Sequence, residues 1–381
     1  MYTRHLPFSP HSLSVALVAL LLAGCDLTST DDGLVGGVDV DALFAPPTAD
    51  ERNAILDKWA DRDLSVRNFE VLGQRSEELE NGDFDIQLVR HEVNGKRHVG
   101  AFIVPSEADG PLSLIIYNHG GDSGVSIDDD VLPLITGMDE LGQAFAYVVP
   151  AFRSQSVEAG GFSFTSEGEP SPWDGDVDDA LALLNAATEN LELTDGSRIG
   201  VIGFSRGATV AQLMAIRDDR IDAVVSFFGL TDFYGPFVRQ LITDALRDGS
   251  NPPPGMDVLI QDFIEPLQRG DLSIQDVRSQ LTRRSVVEFA GRLPALQVHH
   301  GEDDPVIPTE EALALDDALE AAGRSADTDA SYELFIYESN PPYPSETLEQ
   351  HDSDALPQSL QRTATFFQSV LLAETAPASI E

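Results

Sequence analysis

The chain has 381 residues, of which 42% are hydrophobic, with 30 glycines and 23 prolines. This length is sufficient for one large domain with a buried core and additional segments. The formal net charge is −42, from 65 acidic and 23 basic residues. Such a surface repels nucleic acid, which excludes DNA and RNA binding. We expect adaptation to a salty medium, because salt screens the mutual repulsion of so many carboxylates.

The beginning of the chain has the pattern of an export signal. An apolar run over 13–23 is too short to span a bilayer and ends in the sequence LAGC. This sequence is similar to the lipobox of bacterial lipoproteins, and its Cys25 is the single cysteine of the chain. We expect a lipoprotein signal peptide over 1–24 and a lipid on Cys25. An ordinary signal peptide, with Cys25 incidental, is the alternative.

The lipobox resemblance implies an exported protein of the bacterial cell envelope. Its lipid would make the membrane a partner, at the periplasmic face or the cell surface. The following segment, 25–48, is acidic, rich in glycine and without periodicity, which is typical of a flexible tether. The folded domain is therefore expected over 49–381. It begins with a predicted helix over 49–60, whose apolar residues share one face.

From residue 69 onwards, strand patterns and helix patterns alternate. Three strand-like segments come first, and we expect them to pair antiparallel, at 69–72, 84–89 and 98–105. Further strands, mostly apolar runs of the kind covered on both faces, are predicted at 112–117, 144–149, 199–204, 223–228, 295–300 and 332–337. Helices are predicted at 128–141, 176–187, after residue 205, at 308–322 and at 357–372. This alternation predicts a doubly wound, mostly parallel α/β sheet.

The segment 232–293 interrupts the alternation. Three consecutive prolines, 252–254, lie between amphipathic stretches at 237–246 and 256–267. An insertion at this point between two strands predicts a small helical cap over the mouth of a site. A structural elaboration that touches no substrate is the alternative.

The sequence Gly203-Phe204-Ser205-Arg206-Gly207 lies between a predicted strand and a predicted helix. This is the G-x-S-x-G pattern, in which a strained turn projects the serine hydroxyl out of the sheet. The two glycines leave room where the backbone reverses. The following helix presents its N-terminal amides to a developing negative charge. We predict that Ser205 is a nucleophile rather than part of an ordinary glycine-rich turn.

A nucleophilic serine requires a base and an acid that orients the base. The acid is expected in the turn after the strand that ends at residue 300. Spacing from Gly301 selects Asp304, and Asp303 is the fallback, although an acidic helix cap would explain one of them. His351 is the only histidine after the last predicted strand. We predict it as the base, the alternative being a solvated loop histidine.

The turn Asn118-His119-Gly120-Gly121-Asp122 follows the predicted strand over 112–117. Its glycine backbone can approach a substrate closely, so we predict an oxyanion hole there. The amide of Arg206 is the first predicted donor and that of Gly121, or of a neighbour, the second. His119 is expected to orient the turn. The sequence contains no metal-ligand cluster and no cofactor fingerprint, and neither a metal nor a cofactor is expected.

Taken together, the segment 69–372 resembles the α/β-hydrolase superfamily, and looks most like the catalytic domain of the prolyl oligopeptidase (S9) group and its esterase relatives. The motifs that carry the resemblance are YNHGG at 117–121, PAFR at 150–153, GDVDD at 175–179, the G-x-S-x-G sequence, the turn at 301–308 and His351. The resemblance implies an α/β-hydrolase fold and a serine hydrolase with a Ser205–His351–Asp304 triad.

The sequence differs from the S9 pattern in two features that affect which substrate we expect. Where that group has a tyrosine in the oxyanion turn, this chain has His119, and too few residues precede the sheet for a β-propeller gate. Both favour an esterase acting on a small-molecule ester, with a peptide substrate as the close rival. A ligand-binding lipoprotein with an inactive hydrolase fold is the alternative of a different class, and the complete triad argues against it.

Overall fold

The structure is a computed structural model, and it describes residues 34–108, 110–191, 194, 196–248, 252–338 and 356–372. The predicted signal peptide over 1–24, the lipidation site Cys25 and the predicted base His351 lie outside the described residues. Within the described ranges, no helix has both the length and the apolar character needed to cross a membrane.

The strands of the described residues are numbered in chain order. They are β1 (Leu34–Val35), β2 (Val38–Asp39), β3 (Arg67–Leu79), β4 (Gly82–Val93), β5 (Lys96–Pro105), β6 (Ser113–Asn118), β7 (Val125–Ser126), β8 (Phe145–Pro150), β9 (Ser156–Ala159), β10 (Phe162–Thr165), β11 (Ile199–Phe204), β12 (Ile221–Phe227), β13 (Ala295–Gly301) and β14 (Tyr332–Tyr337).

The α-helices are numbered in the same way. They are α1 (Val40–Leu43), α2 (Ala49–Ala60), α3 (Leu132–Gly137), α4 (Gly175–Asn190), α5 (Arg206–Arg217), α6 (Pro236–Asp248), α7 (Met256–Leu259), α8 (Glu265–Arg269), α9 (Ile274–Thr282), α10 (Glu310–Ala321) and α11 (Leu356–Leu371). Short π-helical segments cover Ile127–Val131 and Ile260–Ile264, and 3-10 segments cover Asp139–Ala144 and Val286–Arg292.

A nine-stranded sheet forms the centre of the fold, in the order β14-β13-β12-β11-β6-β8-β5-β4-β3. Strands β14 to β8 of this order pair parallel, and β5, β4 and β3 pair antiparallel. This confirms the predicted α/β-hydrolase fold with a mostly parallel sheet. The chain passes from β6 to β8 on one side and later returns to β11 on the other. Ligands gather at such a switch point, outside the carboxyl ends of the strands.

Successive residues of the central strands are buried on opposite faces of the sheet. On β11, Ile199 and Val201 join the apolar cluster that contains Leu213 of α5. Ile202 and Phe204 join the cluster on the other face, with α11. Burial on both faces explains why these strands are continuous apolar runs in the sequence, and it fixes the position of the residue that follows β11.

The prediction of one continuous helix over 128–141 is wrong. The segment divides into the π-helical turn, α3 and the 3-10 turn. Asp139 has a φ of 53°, a left-handed conformation that ends the helix. The side-chain amide of Asn81 donates to the carbonyl oxygens of Ile135 and Asp139, at 2.9 and 2.7 Å, and holds this break. The hairpin of β9 and β10, which pairs with β7 in a separate three-stranded sheet, was not among the predicted strands.

The predicted flexible tether over 25–48 is corrected from residue 34 onwards. Val38, Val40 and Leu43 are buried, which requires this segment to pack on the domain. The guanidinium of Arg278 on α9 donates to the carbonyl oxygens of Ala42, Leu43 and Ala45, at 3.1, 3.0 and 2.6 Å. Because these contacts are made to the backbone, they could not be predicted from the side chains of this acidic, glycine-containing segment. Residues 25–33 lie outside the described residues.

The segment 232–293 connects β12 to β13 and contains α6 to α9. It is joined to α2 as well as to the start of the domain. Arg278 forms two hydrogen bonds to the carboxylate of Glu51, at 2.7 and 2.9 Å. This pairing lowers the pKa of Glu51 to about 2. The insertion is therefore fastened to residues that precede the sheet.

Candidate active site

Ser205 lies between the end of β11 and the start of α5, at the switch point of the sheet. Its φ of 51° and ψ of −117° are sterically unfavourable for a residue with a side chain. Such a conformation costs about 1–3 kcal/mol and persists only where the surroundings hold it. The Ser205 N–H donates to the carbonyl oxygen of Phe227 on β12, at 2.9 Å, and holds the turn. The strained strand-to-helix turn expected from the G-x-S-x-G sequence is present.

The glycines of the motif allow three backbone segments to meet. A Cβ atom on Gly203 would lie 2.0 Å from the carbonyl oxygen of Gly207. One on Gly207 would lie 2.1 Å from that of Asn118, in the turn after β6. One on Gly120 would lie 3.4 Å from the Cβ of Ser205. This close packing places the turn after β6 directly against the serine.

The side chain of Arg206 forms a buried ion pair with Asp176 on α4. Nε and Nη2 donate to the two carboxylate oxygens, at 2.7 and 2.8 Å. The exposed fractions of the two side chains are 5% and 0%. Asp176 also accepts the backbone N–H of Trp173, at 2.9 Å. The guanidinium charge beside the serine is thus balanced within the protein.

Arg206 also reaches the predicted oxyanion turn. Its Nη1 donates to the carbonyl oxygen of Gly121, at 3.4 Å, and its guanidinium lies 5.6 Å from the ring centre of Phe152. Gly121 has a φ of 64°, which glycine adopts without steric cost. The sequence analysis assigned Arg206 only a backbone role and did not predict its ion pair with Asp176. The GDVDD motif, which contains Asp176, was the one sequence signal that pointed to this pair.

His119 is held inside the same turn. Its Nδ1 donates to the carbonyl oxygen of Gly120, at 2.9 Å, and its ring stacks on Phe152 with a centroid distance of 4.3 Å. Burial lowers the pKa of His119 to about 4, so the ring is neutral at neutral pH. These contacts agree with the expected role of His119 in orienting the turn.

Asp304 and Asp303 follow β13, and the structure treats them differently. The Asp304 side chain is fully buried, whereas Asp303 is exposed. Oδ1 of Asp304 accepts the N–H groups of Val306 and Ile307, at 2.8 and 2.9 Å. Its Oδ2 lies 3.7 Å from Nε2 of His300, which is itself 2.8 Å from the Ile307 carbonyl oxygen. An inward carboxylate fixed by two amides is the better candidate for the acid.

A cavity of about 270 Å³ joins these parts. Ser205, Arg206 and Gly121 line it together, and Val306 and Ile307 place the turn of Asp304 at its edge. The insertion supplies some of the apolar wall through Phe237, Pro253, Pro254 and Met256. The predicted base His351 lies outside the described residues.

The described residues offer no group of three or more His, Cys, Asp or Glu side chains that could hold a metal ion. What this cavity presents is a serine hydroxyl, backbone amides and a mixture of apolar and acidic side chains. These groups suit attack on a carbonyl carbon.

Replacing Asp176 with asparagine is expected to destabilise the protein strongly. The buried guanidinium of Arg206 would lose its counter-charge, and breaking a buried pair typically costs about 3–5 kcal/mol. Equilibrium denaturation in urea measures the change. Asp271→Asn is the matched control, because Asp271 pairs with Arg269 at the surface, where loss of a pair costs about 0–1 kcal/mol. Equal effects of the two substitutions would contradict the prediction.

Replacing Gly203 with alanine should lower the free energy of unfolding by about 1–3 kcal/mol, because the added methyl group overlaps backbone atoms that cannot move independently. Urea denaturation gives the value. In Gly73→Ala the new methyl group meets nothing within 4 Å, and the expected change is within about 0.5 kcal/mol. If the free energy of unfolding of Gly203→Ala equals that of the wild type, the turn is not close-packed.

Residues 165–247, which include the serine turn, match the dienelactone hydrolase family profile. Among curated proteins, the chain is similar to Esterase FrsA of Enterobacter sp. (strain 638), with 31% identity over 235 residues. This match covers 60% of the chain and 50% of the relative, so the chain spans about half the length of the curated relative it matches.

Two solved structures have the same fold. Acetyl xylan esterase 1 from Thermoanaerobacterium sp. JW/SL YS485 superposes with a TM-score of 0.50 at 19% identity, covering 83% of this chain and 92% of that one. Acetyl xylan esterase from Paenibacillus sp. R4 gives 0.54 at 17% identity, covering 87% and 99%. The sheet order, the strained serine turn and these similarities agree on an α/β-hydrolase fold for this chain.

Proposed function

We propose that this protein is a serine esterase that cleaves a carboxylic ester through an acyl-enzyme. The observation that carries the proposal is the position of Ser205. It occupies a strained turn at the switch point of the sheet and lines a cavity together with the glycine turn after β6. A protein that only binds a ligand has no need of a hydroxyl held in such a turn.

The proposed reaction has two steps. The Ser205 hydroxyl attacks the ester carbonyl carbon while His351 accepts its proton, and Asp304 stabilises the resulting imidazolium. The imidazolium then protonates the departing alcohol, and the acyl group stays on the serine. A water molecule, deprotonated by His351, attacks the acyl-enzyme, and the imidazolium returns the proton to the departing Ser205 oxygen as the carboxylic acid is released. No other reactant is needed.

The oxyanion of each tetrahedral intermediate is proposed to accept hydrogen bonds from the backbone amides of Arg206 and Gly121. Loss of one such donor typically raises the barrier by about 3 kcal/mol. The proposal is supported by the packing of Gly120 against Ser205 and by the hydrogen bond from Arg206 to the Gly121 carbonyl oxygen. The Gly121 N–H shares a peptide plane with the Gly120 carbonyl oxygen, and His119 Nδ1 holds that oxygen at 2.9 Å before substrate arrives.

An ester is favoured over a peptide as substrate. The curated relative is named an esterase, and the two solved structures with the same fold are acetyl xylan esterases. The cavity of about 270 Å³, with part of its wall supplied by the insertion, suits a small acyl group. The peptide alternative is supported by the likeness of the PAFR motif at 150–153 and the GDVDD motif at 175–179 to S9 peptidases, and a direct assay separates the two.

The predicted lipobox adds a location to this activity. With Cys25 lipidated, the esterase would be held at a membrane of the bacterial cell envelope and would meet substrates there. Its acidic surface would repel anionic polymers and admit neutral or cationic esters.

The serine is tested by Ser205→Ala on p-nitrophenyl butanoate and on the corresponding p-nitroanilide. We expect the wild type to hydrolyse the ester with a burst of p-nitrophenol, and the substitution to lower kcat at least about 10⁴-fold. The anilide should react far more slowly than the ester. A dead wild type that also fails to react with a fluorophosphonate probe would overturn the esterase proposal, and a faster anilide would assign a peptidase.

The two candidate acids are separated by Asp304→Asn and Asp303→Asn. Asparagine at 304 keeps an oxygen for the amides of Val306 and Ile307 but cannot stabilise an imidazolium, so kcat for the ester is expected to fall about 10³–10⁴-fold. Asp303→Asn is the matched control and should change kcat less than about twofold. The reverse pattern would move the acid to Asp303, and no effect of either would remove this turn from the triad.

A further inference from the structure

The catalytic cavity has an acidic character that ester hydrolysis alone does not explain. Two carboxylates, Asp122 and Asp130, line it. Arg206 is the only arginine or lysine among the described residues that line the cavity, and its charge is balanced by Asp176. The wall is therefore net negative at the place where a substrate would lie.

Asp130 is the more enclosed of the two acids. It lies in the π-helical segment Ile127–Val131, where its Oδ2 accepts the N–H of Ser126 at 2.8 Å. No donor among the described residues forms a hydrogen bond to its Oδ1. Burial raises the pKa of this carboxyl group, which shows that its charge is poorly solvated. A desolvated carboxylate is stabilised most by a partner of opposite charge.

Tyr117 provides a second polar group in the same wall. It is the fifth residue of β6, is 3% exposed and packs against Phe204 with a ring-centroid distance of 5.6 Å. Its hydroxyl forms no hydrogen bond with the described residues. Burial and the nearby charge of Asp130 both raise the pKa of Tyr117, so the phenol stays protonated. It can accept a hydrogen bond from a ligand.

The remaining wall is apolar. Trp173, Phe228 and Leu230 line the cavity together with Phe237 and Met256 of the insertion. A fitting molecule would therefore have an apolar body and one strongly donating end. A neutral hydroxyl could donate one hydrogen bond, but it would leave the charge of Asp130 uncompensated. An ammonium group supplies both the donors and the charge.

We propose that Asp130 and Tyr117 form a cation-binding subsite in the catalytic cavity, which selects substrates that carry an ammonium group. The ammonium would donate to Oδ1 of Asp130 and to the Tyr117 oxygen. Asp130 is then a specificity-determining residue with no part in the bond-breaking steps. This inference rests on the proposed esterase function for its substrate class, but the binding of a cation does not require hydrolysis.

The test compares isosteric substrates. On the acyl side these are the p-nitrophenyl esters of 3-aminopropanoic, butanoic and 3-hydroxypropanoic acids. On the alcohol side they are the butanoate esters of 3-aminopropanol and of butanol. We expect the kcat/KM ratio of cationic to apolar ester to exceed about tenfold in one of the two series. In Asp130→Asn that ratio should fall about tenfold, and in Tyr117→Phe by a smaller factor.

Asp129→Asn is the matched control. It removes the same charge from the neighbouring residue, which is exposed and does not line the cavity. The cationic preference should survive this substitution. Because the ratio compares two substrates on one protein, a partial loss of folded enzyme cancels from it. An unchanged ratio in Asp130→Asn would overturn the inference, as would a hydroxyl ester that equals the ammonium ester in rate and in its dependence on Asp130.

Direct binding separates this inference from the proposed function. Butylammonium chloride is titrated into Ser205→Ala protein, with and without Asp130→Asn, and followed by calorimetry. If no ester is hydrolysed but butylammonium binds through Asp130, the esterase proposal fails and the subsite stands. If esters are hydrolysed without cationic preference and butylammonium does not bind, the subsite fails and the esterase stands.

Discussion

The buried ion pair between Arg206 and Asp176 is the interaction on which the site depends. It joins the start of α5 to the start of α4, and through the Gly121 carbonyl oxygen it reaches the turn after β6. All three segments surround Ser205. A buried pair of this kind contributes little net stability, but it admits one arrangement of its partners. The pair therefore specifies the relative positions of the serine and the oxyanion turn.

The same pair determines the electrostatic character of the cavity. An arginine directly after the predicted nucleophile Ser205 would otherwise attract anionic ligands. With Asp176 accepting two of its hydrogen bonds, the Arg206–Asp176 pair carries no net charge, and the acids of the cavity wall are not balanced by it. Substrate charge preference can thus be set by a residue such as Asp130, remote in sequence from the serine, while the serine turn keeps its geometry.

Local patterns were sufficient for much of the fold. The strands at 199–204 and 332–337 and the helix at 49–60 have the predicted bounds, because apolar runs and one-face spacing reflect burial directly. The strained turn at Ser205 was predicted for the same reason, since its motif is contiguous. The break at Asp139 depends on Asn81, and the packing of 34–48 depends on Arg278; both partners are distant in sequence. The Arg206–Asp176 contact, thirty residues apart, was likewise beyond a local pattern.

The contacts of Arg278 limit how far the insertion 232–293 can move relative to the sheet. Its guanidinium binds three carbonyl oxygens of residues 42–45 and the carboxylate of Glu51, all of which precede the sheet. An insertion attached only at β12 and β13 could move as a lid. This insertion is also attached, through Arg278, to the segment before the sheet. Rotating α9 away from these residues would require several charge-assisted hydrogen bonds to break together. The part of the cavity wall that the insertion supplies is thus held in place, and changes in its shape are left to side-chain rotation of residues such as Phe237 and Met256.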